Sequence, residues 1–354
     1  MSGPASLPAG LGCPVPLNGG DRVLLGHGSG GRLSAALLRD HILPHVGNPV
    51  LCRLGDGAVL EAAAGRLVVS TDTFVVSPLE FPGGDIGLLA VHGTLNDLAM
   101  MGAEPRWLTA GFVLEEGLPF AVLDRILGSM AAAARAAGVA IVAGDTKVVE
   151  RGKADGLFVN TTGLGTLRDD FQPDPARARP GDVVLVSGPI GRHGMAIMAA
   201  RADLGLETTI TSDTAALPPL VEALRAAAGD AVHALRDPTR GGVASALNEL
   251  ARASGVGVTV HETALPIPGP VAAACTVLGL DPLYVANEGI LVAFVAPEAA
   301  DRALLALRAH PLGLHAARIG RAVDRHPGLV VLETGIGGTR VVDLLPGDQL
   351  PRIC

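Results

Sequence analysis

Asp169-Asp170-Phe171-Gln172-Pro173-Asp174-Pro175-Ala176-Arg177-Ala178-Arg179-Pro180 is followed almost at once by Val183-Val184-Leu185-Val186. The first stretch is polar, and its prolines lack amide hydrogens and disfavour helix in the residues before them. It reads as a linker. The second is a short apolar run of the kind that forms a buried strand. A chain that restarts with a strand after a proline-rich break is built from two units, and the flanking pattern agrees. On the N-terminal side, Leu67-Val68-Val69-Ser70 reads as a strand running into Thr71-Asp72-Thr73. A helix is expected over 85–101 with Gly102 at its cap, a strand over 108–114, and an Ala-rich helix over 120–137 ended by Gly138. A strand over 139–142 then delivers Gly144-Asp145-Thr146-Lys147, and another follows over 158–165. On the C-terminal side come helices over 195–202, 244–253 and 299–308, and strands over 256–260, 318–320 and 329–332, with the segment 286–295 between. The expectation is two α/β halves of mixed sheet and helix. They divide as a loose leader at 1–19, a domain at 20–168, the linker at 169–180, a second domain at 181–345 and a tail at 346–354.

Composition narrows the function class. The 354 residues are 49% hydrophobic with mean hydropathy +0.42, ample for a large core, but only 3% aromatic, which speaks against binding bases by stacking. A formal charge of −8 argues against nucleic acid as a main partner, so any polyanion handled here calls for a metal ion. No uncharged apolar run reaches the length of a membrane span. The Pro/Gly-rich start lacks the basic-then-apolar order of a signal peptide. Four scattered cysteines, Cys13, Cys52, Cys275 and Cys354, show no zinc-site spacing and fit a reducing cytoplasm.

Gly26-His27-Gly28-Ser29-Gly30-Gly31 matches G-x-G-x-x-G, between an expected strand at 23–25 and a helix at 34–41. The acid expected about twenty residues on is missing, so a dinucleotide fold is a minor reading. Ser187-Gly188-Pro189-Ile190-Gly191-Arg192-His193-Gly194 is either a tight structural turn or a ligand contact. No P-loop occurs.

Chemistry concentrates in acids placed at expected strand or helix ends: Asp56, Asp72, Asp97 and Asp145. Singly, each is equally a turn or capping residue. Together, flanked by Gly, Thr and Asn, they offer hard oxygens to Mg²⁺, which keeps water and shares phosphate oxygens with a nucleotide. Lys147 adds a compact positive charge. In the second half, Arg236-Asp237-Pro238-Thr239-Arg240-Gly241-Gly242 reads as a turn with capping and a surface ion pair as the plain alternative. Glu288, within Ala286-Asn287-Glu288-Gly289, sits between apolar segments, where desolvation would raise its proton affinity and suit it to acid/base work. Structural capping is the alternative there too. The sequence closes on Pro351-Arg352-Ile353-Cys354. Prolines and glycine from Pro346 onward discourage regular structure, and nine extended residues reach roughly 30 Å. The thiol is either an incidental chain end or a group carried on a tether.

These segments resemble the HypE family of hydrogenase-maturation carbamoyl dehydratases, within the AIR synthetase (PurM-like) superfamily. The resemblance rests on Gly26–Gly31, Thr71–Pro78, Gly83–Gly87, Asn96–Met100, Gly144–Lys147, Arg236–Gly242, Ala286–Gly289 and the terminal Pro-Arg-Ile-Cys, and it covers the chain from about residue 20. It implies a homodimer of two-domain PurM-like subunits with ATP and Mg²⁺ bound through N-terminal-domain loops near the dimer interface. It implies that the terminal cysteine takes a carbamoyl group from the carbamoyltransferase HypF and that ATP drives its dehydration to a thiocyanate. The cyanide passes to a HypC–HypD complex for the iron centre of [NiFe]-hydrogenase. On that basis Asp56, Asp72, Asp97 and Asp145 are the expected metal ligands. Thr73, Asn96, Gly144 and Thr146 join them around the nucleotide. Glu288 is the expected base, Lys147 orients the amide or phosphoryl, and Cys354 carries the reacting group. The rivals are another ATP-using superfamily enzyme, such as thiamine-monophosphate kinase or selenophosphate synthetase, and a non-catalytic ATP-binding scaffold.

Overall fold

The computed structural model describes residues 20–28, 31–54, 58, 60, 65–201, 209–344, 350 and 352–354. Asp56, the leader 1–19 and part of the tail lie outside the described residues. Two short helices, α1 (Gly31–Leu37) and α2 (Leu43–Val46), precede β1 (Leu67–Phe74). The short pair β2 (Glu80–Phe81) and β3 (Gly84–Asp85) leads into α3 (Ile86–Met100), where Asp85 caps the helix by accepting from the Leu88 amide at 2.9 Å. Then follow β4 (Ala103–Glu115), α4 (Phe120–Ala136), β5 (Ala140–Val149) and β6 (Leu157–Leu167). Strands β1-β6-β4-β5 form one sheet in that order, antiparallel except for the β4/β5 pair. Helices α3 and α4 cover one face, closing a core around Leu89, Leu95, Leu108, Leu123 and Ile126. The opposite face is open: Leu67 and Val69 are 52% and 61% exposed.

The second half contributes β7 (Val183–Val186), α5 (Arg192–Ala200), α6 (Pro218–Ala228), β8 (Val232–Arg236), α7 (Gly242–Ser254), β9 (Gly257–His261) and α8 (Gly269–Leu278). It ends with β10 (Val292–Val295), α9 (Ala300–Ala309), β11 (Ala317–Val323), β12 (Val330–Glu333) and β13 (Thr339–Val342). The strands build a seven-stranded mixed sheet ordered β13-β12-β9-β11-β7-β10-β8. Strand β7 is buried on both faces: Val184 and Val186 pack toward α7, Val183 and Leu185 toward α6 and α9. That explains its uninterrupted apolar run.

Three expectations change. Gly144–Lys147 is not a loop after a strand at 139–142, because pairing with β4 carries β5 on to Val149. Asp72 likewise lies within β1, whereas Asp97 falls in the last turn of α3, as the helix expected over 85–101 implies. Cross-strand pairing outweighs the weak strand preference of Gly and Asp. The strand expected at 23–25 is an isolated bridge between Arg22 and Pro119, and Leu25–Gly28 forms a 3₁₀ turn. A Cβ on Gly28 would stand 2.4 Å from the Val148 amide nitrogen, so this glycine admits the β5 backbone.

Candidate active site

The two halves meet at a cavity of about 310 Å³ lined by Ser70, Thr71, Asp72, Asp97, Asp237 and Arg240, among others. Asp72 comes from the helix-facing side of β1 and Asp97 from α3, where its Oδ2 accepts from Ser70 Oγ at 2.6 Å. Gly93 permits the close approach, since a Cβ there would lie 2.9 Å from the Phe74 ring. From the other half, the turn before α7 brings Asp237 and Arg240. Its Gly241 and Gly242 adopt φ of +72° and +62°, conformations that a side chain would strain. Arg240 Nη2 lies 3.9 Å from Asp72 Oδ1.

Charge is crowded here. Burial, then Asp97, pushes the Asp72 carboxyl above its usual range, with Arg240 offsetting in part. Burial, then Asp97, raises Asp237 as well. Carboxyl groups crowded in this way fit a hard divalent cation that would relieve them. Among the described residues no three His, Cys, Asp or Glu side chains stand so as to hold a metal unaided.

Against this cavity lies the end of the chain. Ile353 is 4% exposed and joins the core of the N-terminal half. The Arg352 carbonyl accepts from the Ser77 amide at 3.2 Å and from Arg201 Nη2 at 3.0 Å, and Arg352 Nη1 donates to Asp155 Oδ2 at 2.6 Å. His193 Nε2 bonds the Ile353 carbonyl at 2.9 Å. The half-buried Cys354 thiol thereby faces Glu288. Burial first, then the Glu288 charge, raises the thiol well above its ordinary value, while Arg240 draws it back. Burial and the neighbouring Glu288 thus keep this thiol protonated.

Glu288 is buried, and its Oε1 has no hydrogen-bond partner among the described residues. Burial, then Asp237, Asp213 and Asp72, raises its proton affinity strongly. Its backbone is held firmly: the Glu288 and Gly289 amides each donate to the Asp213 carboxylate at 3.2 Å. Gly289 is obligatory, because a Cβ there would sit 1.7 Å from the Asp213 carbonyl oxygen.

The structure does not gather all the expected residues. Register pairs Asp72 with Thr161 and Ala110, but Asp145 with Gly111, Asn160 and Thr73. Adjacent positions along a strand point to opposite faces, so Asp145 and Lys147 project from the open face. Three strand spacings, about 14 Å, separate them from β1. Lys147 makes no ion pair with a described residue. Thr73 is also on the open side, its Oγ1 accepting from Asn160 Nδ2 at 3.0 Å. The Thr146 amide donates to Asp145 Oδ1 at 2.8 Å. A Cβ on Gly144 would meet the Ala110 carbonyl oxygen at 2.6 Å, so this glycine serves sheet packing. Asn96 is buried and engaged at both ends, donating to the Ala215 carbonyl at 3.0 Å and accepting from the Leu217 amide at 2.7 Å. It stitches the halves together.

Other residues enter that sequence reasoning did not place at the site. Asp213 carried no signal beyond a Thr-Ser-Asp-Thr run, and His193 lay in a turn with two open readings. Asp237 and Arg240 stood in a segment whose plain alternative was capping.

The domain models for AIR synthase related proteins match this chain, the N-terminal one over residues 54–167 and the C-terminal one over 179–332. The carbamoyl dehydratase HypE of Bradyrhizobium diazoefficiens is 54% identical over 93% of this chain and 95% of its own length. A crystal structure of the hydrogenase maturation protein HypE in complex with ATP superposes with a TM-score of 0.89 at 50% identity, over 94% of this chain and 99% of that one. A HypE–HypF complex matches with a TM-score of 0.77 at 46% identity, over 88% of this chain and 100% of that one. With both domain models matched and more than half of its residues shared with a full-length relative, the chain belongs to the AIR synthase related family, in the branch of the HypE carbamoyl dehydratases.

Proposed function

We propose that this protein dehydrates a carbamoyl group carried on Cys354, using ATP, to give a protein thiocyanate. The observation that carries the reading is the docking of Cys354 against Glu288 beside an acid-lined cavity. The reaction converts S–C(=O)–NH₂ to S–C≡N, with ATP becoming ADP and phosphate. The amide oxygen takes the γ-phosphoryl group and departs as phosphate, and the nitrogen loses both protons as the triple bond forms. ATP would supply the phosphoryl group, and Asp72 and Asp97 would hold a Mg²⁺ ion that neutralises the phosphate charge. Glu288 removes an N–H proton: its burial makes the ionised carboxylate a stronger base than an exposed one, and it faces the sulfur that carries the amide. Arg240, close enough to lower the thiol's proton affinity, balances negative charge at the same place.

The open sheet face supports a homodimer, because Leu67 and Val69 stand there exposed with no cover. In that dimer Lys147 and Asp145 serve the partner's nucleotide site, which accounts for their distance from Asp72. The solved HypE–HypF complex supports a HypF-type carbamoyltransferase as the donor. A HypC–HypD complex, accepting cyanide in the cytoplasm, completes the sequence. The domain borders fall at 168 and 181, with 169–180 as linker and 346–354 as the tail. No described helix is long and apolar enough to cross a membrane. Cys354→Ala should abolish carbamoyl loading and leave ATP binding within about twofold of wild type, read by mass spectrometry and calorimetry. Loading that survives this change sinks the acceptor assignment.

A further inference from the structure

Ser212 and Asp213 are neighbours in the loop that enters α6, and each holds one of the two groups that must meet. The Asp213 carboxylate accepts from the amides of Glu288 and Gly289, fixing the backbone of the base. Ser212 Oγ lies 2.8 Å from His193 Nδ1, and His193 Nε2 lies 2.9 Å from the Ile353 carbonyl, one peptide from Cys354. The direction of this chain is determined. A carbonyl only accepts, so Nε2 carries the proton. His193 is fully buried, which pushes its pKa down to about 4 and keeps the ring neutral, so Nδ1 accepts. Ser212 Oγ therefore donates to Nδ1, and it is free to do so because it accepts from the Thr214 amide at 3.1 Å. The loop is itself anchored to the N-terminal half, the Ser212 amide donating to the Pro82 carbonyl at 2.8 Å. The Phe81 ring packs edge-on against the imidazole with centroids 5.6 Å apart, which holds its plane.

We propose that Ser212, acting through His193, and Asp213, acting through the Glu288 backbone, form a single alignment element that sets the register of Cys354 against Glu288. Asp213 places the base and Ser212 places the carrier, so a shift of the loop moves both together. None of these residues touches the reacting atoms; they are positioning residues. The requirement is chemical: the amide N–H must point at the Glu288 carboxylate, and a misplacement near 1 Å costs on the order of 100-fold in rate. This inference rests on the dehydratase reading for its rate test, but its docking test does not.

Two assays on the full-length protein decide it. In the first, Cys354 is carbamoylated by the cognate carbamoyltransferase, ATP is added, and the C-terminal peptide is followed in time by mass spectrometry. His193→Phe should load normally and lose water about 100-fold more slowly. His193→Gln, whose side-chain amide can still donate to the Ile353 carbonyl, should stay within about threefold of wild type. In the second, unloaded protein is treated with iodoacetamide and alkylation is read on the same peptide. It should quicken at least about tenfold in His193→Phe and stay near wild type in His193→Gln. If His193→Phe fails to fold, Ser212→Ala is read in both assays, with an expected change of about tenfold in each. Equal behaviour of the Phe and Gln variants, or unchanged alkylation in Ser212→Ala, overturns the proposal. Wild-type protein that loads but never loses water would overturn the dehydratase reading instead, with alkylation still deciding the alignment.

Discussion

On the helix-facing side of the four-stranded sheet, Asp72 stands with Asp97 in a cavity reached by Arg240, and both Asp72 and Arg240 act electrostatically on the docked Cys354. On the open side, three strands away, Asp145 and Lys147 share a face with exposed Leu67 and Val69. The first group is built within one chain, with a thiol, a buried base and crowded carboxyls converging from both halves. The second has charge and apolar surface but nothing to act on. A single copy holds a carrier and a base; in the proposed dimer, Lys147 would serve the site of the other copy.

The largest effect that would break this contrast is at the base. Glu288→Gln should accept the carbamoyl group at wild-type levels while dehydration falls by about 10²–10⁴-fold, the usual range for a general base. Unchanged dehydration removes Glu288 from that role. Lys147 tests the other side of the sheet. Lys147→Ala and Glu288→Gln should each be inactive alone. Mixed and allowed to exchange subunits, they should regain about a quarter of wild-type activity, because half the dimers then hold one intact site of two. A mixture that stays inactive, although mixed dimers are shown to form, places Lys147 in its own chain's site.

The smallest effect concerns the docked tail and pH. His193 has a folded pKa of about 4 against 6.5 when unfolded. Between those values the unfolded chain binds the extra proton, so stability falls as pH drops through the window, by up to about 3 kcal/mol. Asp213 works in the opposite sense, because burial raises its folded pKa to about 6 and it takes up its proton first in the native state. Comparing urea midpoints of wild type and His193→Gln from pH 7 to pH 4 isolates the histidine, since glutamine does not titrate. The variant should lose less stability than wild type on acidification; parallel curves would mean that His193 is not held neutral.

Much of the architecture was readable from local pattern. The proline-rich stretch, the restart at Val183, the helices now seen as α3 and α4, and the burial of Glu288 between apolar segments all follow from periodicity and capping. Helices α6 and α8 were not anticipated, and neither were β8 and β13; β13 pairs only at the sheet edge. The sorting of Asp72 and Asp145 onto opposite faces was also out of reach. It depends on pleat phase and strand order, which are properties of the assembled sheet. His193 and Asp213 gave no functional signal because their roles exist only once a loop, a helix and the chain end are brought together.

The central claim is that Cys354 carries the group that loses water. The direct measurement is the mass of the C-terminal peptide of wild-type protein, first after carbamoylation and then after ATP. The account predicts a loss of about 18 Da, one water, on Cys354 and only in the presence of ATP. A carbamoylated peptide whose mass does not change, in protein that binds ATP, would contradict it.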